Sequence, residues 1–159
     1  YEAGRRGSAW RKVKRALATL DVVITRAEQG HGKRAHVLSD YTFAVWKGEA
    51  LVEIGKAYSG LTDVEIADLT VRLRELATGQ QGRYLLVRPA IVLEVAFDGL
   101  QPSTRHDSGF ALRFPRIVRL RPDKQPVDAD RLETVRAIFE GQVATGHREK
   151  SPQLGLFDE

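Results

Sequence analysis

The sequence predicts an all-β domain with accessory helices, in which five strands form a small barrel. Runs rich in β-branched and aromatic residues alternate with turns that contain glycine, a pattern typical of short strands. A stretch with helical spacing separates the third run from the fourth, and a second such stretch follows the fifth. The 159 residues are enough to bury a core, and the absence of cysteine excludes disulfides and cysteine-based metal sites.

The first three strands are predicted from apolar runs near the start of the chain. Residues 20–25 are mostly β-branched, and a glycine-containing turn follows at residues 29–34. Residues 41–46 and 50–54 form the next two runs, and Gly55 ends the third. Because β-branched and aromatic side chains pack well on a pleated surface, all three runs favour strands.

The helix after the third strand is predicted from its start signals. Thr62 and Glu65 can form a capping box, in which each side chain satisfies the free backbone N–H of the other residue. Apolar residues then recur at helical spacing from Ile66 to Ala77. Gly79 is expected to stop this helix.

The fourth and fifth strands are predicted at residues 90–97 and 109–114. The fifth can continue to residue 121, and Pro115 then marks an edge or a bulge, because proline donates no hydrogen bond to a neighbouring strand. A C-terminal helix is expected over residues 129–140. Its expected cap is Asp128 or Asp130, and its expected stop is Gly141.

This element order, five strands with a helix between the third and the fourth, is that of an OB-fold. OB-folds commonly bind oligonucleotides on one face of the barrel. Positive charge is also clustered: residues 1–36 hold nine Lys or Arg against three Asp or Glu, and residues 83–125 hold eight against four. Such clusters favour a polyanion, because each neutralised phosphate releases counterions. A solvated basic surface without a ligand is the alternative.

Four segments of the sequence carry a family resemblance: residues 4–14 continued by 19–24, residues 55–62, residues 92–97 and residues 112–124. In this order they resemble the motifs of ATP-dependent DNA ligases, and the variant they resemble most is the bacterial repair-type enzyme. The first segment resembles motif V and the last resembles motif VI. The resemblance covers about residues 1–140, and it implies the C-terminal OB-fold region of an enzyme that seals nicks in duplex DNA through lysyl-AMP and DNA-adenylate intermediates.

The family resemblance divides the chain into three parts. Residues 1–16 would be the end of the nucleotidyltransferase domain with a hinge, residues 17–141 the OB-fold domain, and residues 142–159 a flexible tail. The family's Lys-x-Asp-Gly motif is absent, since Asp98-Gly99 has Ala96 in the place of the lysine. We therefore expect a parent enzyme to supply the missing nucleotidyltransferase domain, and we expect the chain alone to be inactive.

The resemblance also assigns phosphate contacts. Lys12 and Lys14 share one face of an extended segment and would face the α-phosphate of ATP, and Arg6 would contact the nucleotide as well. An ordinary solvated strand face is the alternative for the two lysines. The motif VI residues, a second catalytic group, would move over the β- and γ-phosphates; they are Arg121, Asp123 and Lys124. ATP and Mg²⁺ are the expected cofactors, both through the parent enzyme.

Four arginines are expected to contact the DNA backbone, with ordinary surface charge as the alternative for Arg113 and Arg116. The remaining two are Arg5 and Arg119. Glu94 lies in an apolar strand and is expected to pair with an arginine, because a buried charge needs a partner. Nicked duplex DNA is the expected partner.

The C-terminal tail resembles the short peptide by which bacterial replication and repair proteins dock on the sliding clamp. Leu156 and Phe157 would enter an apolar pocket, and Gln153 and Leu154 would complete the contact. A tail that folds back on its own domain is the alternative. The longest apolar runs, about ten residues, are too short to cross a bilayer, so no membrane partner is expected. The resemblance implies a bacterial cytoplasmic, nucleoid-associated protein acting in DNA replication, repair and recombination.

Two other functions remain open at this point. A stand-alone OB-fold module that binds single-stranded nucleic acid would leave Lys12 and Lys14 unexplained and would carry several exposed aromatic residues. An RNA ligase or capping enzyme shares the architecture, but residues 112–116 resemble the DNA enzymes more closely. The chain starts at Tyr1, from which we expect a cut inside a longer polypeptide.

Overall fold

The structure of the protein is a computed structural model, and it describes residues 18–142. Its strands are β1 (Ala18–Gln29), β2 (Leu38–Lys47), β3 (Ala50–Ala57), β4 (Ala77–Gln81), β5 (Tyr84–Val87), β6 (Val92–Phe97), β7 (Gly99–Pro102), β8 (Phe110–Arg113) and β9 (Arg116–Leu120). Its helices are α1 (Asp63–Glu75) and α2, which begins at residue 132 and continues to residue 142. Short 3-10 helices lie at Gly32–Arg34 and Pro126–Asp128.

Five of the strands curl into a partly closed barrel in the order β3-β2-β1-β6-β9, and all neighbours are antiparallel. β1 is the central strand, and one of its edges is divided between two partners. Residues 18–23 of β1 pair with β6, and residues 26–28 pair with β5. A bulge between Ile24 and Arg26 lies at this change of partner.

The barrel closes where β9 meets the loop that follows β3. The backbone N–H of Ile117 donates a hydrogen bond to the carbonyl oxygen of Ser59 at 2.9 Å. Gly60 has a φ of +116°, and a Cβ atom there would overlap the carbonyl group of Ile117. This closure therefore requires glycine, which has no Cβ and tolerates positive φ.

Two hairpins extend the barrel. β4 and β5 follow α1 and reverse at Gly82, whose φ is +62°. β7 and β8 form a separate two-stranded sheet, which α2 holds in place. The side chain of Gln142 hydrogen-bonds to both the N–H and the C=O of Leu100 at 2.8 Å, and the rings of Phe110 and Phe139 lie 5.2 Å apart.

The core occupies the inside of the barrel and the side covered by the helices. The hydroxyl of Thr70 on α1 accepts a hydrogen bond from Leu38 N–H at 3.0 Å, which ties the helix to the start of β2. No helix among residues 18–142 is long and apolar enough to cross a membrane. Buried apolar side chains from both regions include Val22, Ile24, Phe43, Ile54, Leu69, Leu73, Leu93, Val95, Leu132 and Val135.

The predicted fold class is confirmed: an OB-fold with a helix between the third and fourth barrel strands and a helix after the last one. The structure also has strands beyond the predicted five, because the two hairpins add pairs that the apolar runs did not reveal. Pro115 does mark a break, since Phe114 adopts a φ of +51° and separates β8 from β9. The two halves of the fifth predicted strand consequently belong to different sheets.

Three predicted helix boundaries are wrong. α1 ends at Glu75, and Gly79 lies within β4 rather than at a helix stop. α2 begins at residue 132, and neither Asp128 nor Asp130 caps it, because their carboxylates accept hydrogen bonds from the backbone of Gln125 and of Asp21. Residue 141 lies within α2, so the expected stop at Gly141 is also wrong.

Candidate functional site

Arg121, Asp123 and Lys124, which the sequence assigns to phosphate handling, lie together just after β9. Arg121 binds Asp123 through two parallel hydrogen bonds, from Nε at 3.0 Å and from Nη2 at 2.8 Å. The ion pairs extend to Asp21 of β1, where Lys124 Nζ lies 2.5 Å from one carboxylate oxygen and Arg121 Nη1 lies 3.4 Å from the other. The fold thus joins the first strand to the turn after the last one.

Two further charged residues come from the strands beside β1. Glu94 on β6 is the register partner of Asp21, and Arg119 on β9 is the register partner of Glu94. Arg119 Nε donates to Glu94 Oε1 at 2.8 Å, and Arg121 Nη1 lies 3.8 Å from the same oxygen. The expected pairing of Glu94 with an arginine is confirmed. We call these six residues the charge cluster: Asp21, Glu94, Arg119, Arg121, Asp123 and Lys124.

Asp21 is the most firmly anchored acceptor of the charge cluster. Its backbone N–H donates to Asp130 Oδ2 at 2.7 Å, and its carbonyl oxygen accepts from the N–H of Asp130 at 2.8 Å. Only 14% of the Asp21 side chain is exposed, compared with 31% for Lys124. The carboxylate is therefore held by the strand, whereas the lysine reaches it from a turn.

The pKa values within the charge cluster follow these contacts. The hydrogen bond from Arg121 lowers the pKa of Asp123 to about 2, and the same bond raises the pKa of Arg121. The hydrogen bond to Asp21 raises the pKa of Lys124. The hydrogen bond from Arg119 lowers the pKa of Glu94. Each of these shifts favours the charged form, so all four groups are ionised at neutral pH.

A recess of about 180 Å³ adjoins the charge cluster. Arg72 of α1, Arg121 and Lys124 contribute three cationic side chains to its lining, together with the Ala90–Val92 segment. Cations converging from separate elements suit the oxygens of a phosphate group. Residues 18–142 contain no group of three or more His, Asp or Glu that could hold a metal ion.

A second candidate surface is the exposed ridge formed by Arg113, Phe114 and Arg116 between β8 and β9. Phe114 is 67% exposed, and its positive φ is unusual for a residue other than glycine. The guanidinium of Arg113 lies 5.7 Å from the centre of the Phe114 ring. Arg116 donates to the Phe114 carbonyl at 2.7 Å and pairs with Asp98 at 3.0 Å. The ridge therefore combines an exposed apolar side chain, a strained backbone and two arginines.

The predicted site residues fall into three groups. Arg121, Asp123 and Lys124 lie together in the charge cluster, as does Arg119, while Arg113 and Arg116 lie on the ridge. Sequence reasoning did not single out Asp21, Phe114 or Arg72 as site residues, although an aspartate inside a β-branched run is itself a signal. The predicted residues outside the described range are Arg5, Arg6, Lys12, Lys14, Gln153, Leu154, Leu156 and Phe157.

A larger groove of about 620 Å³ lies at the other end of β1, where Glu28 and Gln29 line it. Its lining mixes charges, with Glu28 beside Arg74 and Arg83. The Glu28 carboxylate is nearly buried and pairs with Arg83 at 3.3 Å and with Lys56 at 3.5 Å. The groove contains none of the residues that the sequence analysis assigned to phosphate or DNA.

Comparison with known proteins gives a family match. The family described as the ATP dependent DNA ligase C terminal region matches residues 34–124. A "Probable DNA ligase" of Opitutus terrae is 59% identical over 141 residues, which are 87% of this chain and 14% of that protein. A "Probable DNA ligase" of Koribacter versatilis is 56% identical over 142 residues, 89% of this chain and 25% of that protein. The chain thus spans a quarter or less of the length of these two relatives.

Solved structures share the fold. The ligase domain of M. tuberculosis LigD superimposes with a TM-score of 0.62 at 26% identity, over 72% of this chain and 38% of that chain. A mycobacterial DNA ligase D complexed with ATP and MES superimposes with a TM-score of 0.56 at 25% identity over the same shares.

Proposed function

Because this chain belongs to the family of ATP-dependent DNA ligases and matches their C-terminal region, we propose that it is the OB-fold part of an enzyme that seals nicks in duplex DNA. The reaction would pass through lysyl-AMP and DNA-adenylate intermediates, with the lysine supplied by a nucleotidyltransferase domain. One observation carries the proposal: Arg121 and Lys124 line a recess of phosphate size within a domain built like an OB-fold.

In the proposed mechanism, this chain supplies cations to the triphosphate of ATP during lysine adenylation. Negative charge develops on the departing pyrophosphate, and fixed cations stabilise it. Arg121 offers a planar fork to the β- and γ-phosphates, and Lys124 offers a point charge. Lys12, Lys14 and Arg6 would serve the α-phosphate. When bound, Mg²⁺ would further neutralise the phosphates, and its protein ligands would lie outside residues 18–142.

The ridge would bind the duplex once adenylation is complete. Arg113 and Arg116 would contact phosphates, and Arg5 and Arg119 would extend the same basic surface. The guanidinium of Arg113 lies over the Phe114 ring, and an exposed apolar side chain beside an arginine suits the minor groove, where apolar side chains insert between base steps and partly unstack them. Exposure of Phe114 and its strained backbone support this role.

The first test measures the adenylation step in the complete enzyme. Arg121→Ala and Lys124→Ala should each lower the rate of lysyl-AMP formation by about 10- to 1000-fold, because each removes a charge from the departing phosphates. Arg136→Ala on the exposed side of α2 is the matched control and should leave that rate unchanged. Unfolding curves of each variant check that the fold is intact. Wild-type adenylation rates in both cluster variants would refute the phosphate role.

The second test measures binding of the chain to nicked duplex DNA by fluorescence anisotropy. The affinity should fall steeply as salt rises, and Arg113→Ala should make this salt dependence shallower by about one unit of slope. Phe114→Ala should weaken binding at every salt concentration without changing the slope, since phenylalanine carries no charge. An affinity for DNA that does not change with salt concentration would contradict the proposed binding surface.

A tail contact with a sliding clamp is part of the proposal, as is a role in replication, repair and recombination in the bacterial cytoplasm. The sequence of residues 153–157 supports this contact, with Gln153, Leu154, Leu156 and Phe157 as the binding residues. Tethering would raise the concentration of the enzyme near nicks. Deleting residues 153–157 should abolish co-purification with the clamp and leave nick sealing in solution intact. If the shortened chain still co-purifies with the clamp, the proposed tail contact is wrong.

A further inference from the structure

Every cation of the charge cluster faces a carboxylate of the same domain. Arg119 faces Glu94, Arg121 faces Asp123, and Lys124 faces Asp21. Three negative and three positive side chains therefore balance, although the recess beside them has the shape and donors of an anion site. A phosphate that binds Lys124 or Arg121 must compete with carboxylates that are already in place.

Asp21 differs from the other two carboxylates in what it contacts. In the part of the chain that the structure describes, it is the one carboxylate that is bonded to both Lys124, at 2.5 Å, and Arg121, at 3.4 Å, which are two of the three cations that line the recess. Asp123 follows Arg121 in the same turn and can move with it, whereas Asp21 belongs to β1 and is fixed by Asp130. The backbone N–H of Arg121 is held by the carbonyl of Val92 at 2.9 Å, so the contacts to Asp21 break when the side chains of Arg121 and Lys124 turn away from β1.

We propose that Asp21 is a positioning residue that competes with the phosphates of ATP for Lys124 and Arg121 and holds both cations against the barrel when no phosphate is bound. This inference rests on the proposed function, because it assumes that these two cations serve a triphosphate. We call the contacts of Asp21 with Lys124 and Arg121 the latch. While the latch is closed, phosphate binds more weakly than it would to unpaired cations. After the phosphate dissociates, the two cations return to Asp21.

The position of Lys124 lets phosphate approach while the contact with Asp21 is still formed. Lys124 is linked to β9 through a turn in which its N–H donates to the carbonyl of Arg121 at 3.1 Å. Its ammonium group is partly exposed and also lines the recess, so phosphate can approach it while it still contacts Asp21. The exchange of one oxygen ligand for another then needs no separate step in which the lysine is unpaired.

The test titrates the chain with inorganic tripolyphosphate and follows side-chain NMR signals of Lys124 and Arg121. Asp21→Asn keeps the size of the side chain and one acceptor oxygen but removes its charge and its second acceptor. It should tighten tripolyphosphate binding about three- to ten-fold, because it removes one competing ion pair. Asp68→Asn, on the exposed side of α1, is the matched control for a lost negative charge and should change the affinity much less. Equal effects of the two substitutions, or weaker binding by Asp21→Asn, would overturn the proposal.

A measurement on the wild-type chain covers the case in which Asp21→Asn unfolds the barrel. The carboxyl carbon of Asp21 should shift towards the value of an unpaired aspartate as tripolyphosphate saturates the chain. A carboxyl signal that stays constant while Lys124 shifts would mean that phosphate adds to the pair instead of replacing Asp21, and the proposal would fall.

Two further variants separate this inference from the proposed function. Lys124→Ala and Arg121→Ala should each weaken tripolyphosphate binding. Unchanged affinity in both would remove the phosphate role itself, and the latch with it. Weakened affinity in both, combined with no gain in Asp21→Asn, would remove the latch alone.

Discussion

Asp123 shows how one carboxylate affects the charge cluster. Its two parallel hydrogen bonds from Arg121 form a bidentate pair, which is among the stronger kinds of ion pair in proteins. The pair lies at the surface, so its influence comes from the adjacent guanidinium more than from burial. Protonation of Asp123 would weaken the attachment of Arg121 to the turn.

The first prediction concerns the stability of the protein at acidic pH. The lowered pKa of Asp123 means that its contribution to stability is complete above the ordinary aspartate pKa, about 4, and is lost as the pH falls towards about 2. The free energy of unfolding, measured with urea between about pH 5 and about pH 2.5, should therefore fall less steeply in Asp123→Asn than in the wild type. Asp68→Asn is the control and should keep the wild-type slope. Identical slopes for wild type and Asp123→Asn would show that the pair contributes nothing.

The second prediction concerns the closure at Gly60. Gly60→Ala should lower the free energy of unfolding by about 2–5 kcal/mol, because the new Cβ meets the backbone of Ile117 and the φ is unfavourable. Gly48→Ala also places alanine at positive φ but has no atom within 4 Å of the new Cβ. It should lower that free energy by about 1 kcal/mol. Equal losses in urea unfolding would mean that closure at Ser59 and Ile117 does not depend on glycine.

Residue roles could be predicted from the sequence where the cause is local. Glu94 stands out because it is a charge inside an apolar strand, and such a charge needs a partner. The same reasoning applies to Asp21, but its partners Arg121 and Lys124 are far away in the chain and only the fold brings them together. Phe114 gave no signal as a site residue, because Pro115 predicts an interruption of the strand but not the positive φ of Phe114 or the exposure of its side chain.

At the scale of elements, the start of α1 could be predicted from the sequence, but its end could not. Its start was predictable, because the capping box of Thr62 and Glu65 is formed by neighbouring residues, and both of its hydrogen bonds are present. Its end was not, because residues 77–81 leave the helix to pair with β5. Tertiary pairing of this kind overrides helix propensity.

The third prediction tests the start of α1. Thr62→Ala should lower the free energy of unfolding by about 1 kcal/mol, because the backbone N–H of Glu65 loses its acceptor. Thr78→Ala, at an exposed position of β4, is the control and should change it by less than about 0.5 kcal/mol. Chemical unfolding of the two variants compares them directly. A loss in Thr62→Ala as small as in the control would indicate that water replaces the cap.

At the scale of the whole molecule, α2 joins parts that the chain order separates. Its buried face packs on the barrel through Leu132 and Val135, and its far end holds β7 through Gln142. Sequence spacing predicted a helix here but placed its start too early, because Asp130 is used to anchor Asp21 instead of capping the helix.

The fourth prediction tests whether α2 is part of the folded unit. Leu132→Ala should lower the free energy of unfolding by about 2–5 kcal/mol, because the side chain is buried and the substitution leaves a cavity. Val127→Ala removes an apolar side chain that is 73% exposed and should change it by less than about 0.5 kcal/mol. A single unfolding transition that shifts only for Leu132→Ala would show that helix and barrel unfold together. Two transitions would contradict this.

The barrel itself was predictable, because five apolar runs and one inserted helix allow few arrangements. What could not be predicted is how one edge of β1 is divided between β5 and β6, since no local pattern encodes which distant strand a residue meets. The closing hydrogen bond between Ser59 and Ile117 has the same non-local origin.

Because β5 and β6 are made long after β1, the divided edge of β1 stays open while the ribosome synthesises β2, β3 and α1. At about 5–20 residues per second, this interval lasts several seconds. During it, the nascent chain presents a long apolar strand with free backbone groups, which neighbouring chains on a polysome could pair with. Chaperones that bind exposed strands during translation would therefore matter most early in synthesis, before the second half of the domain has emerged from the ribosome.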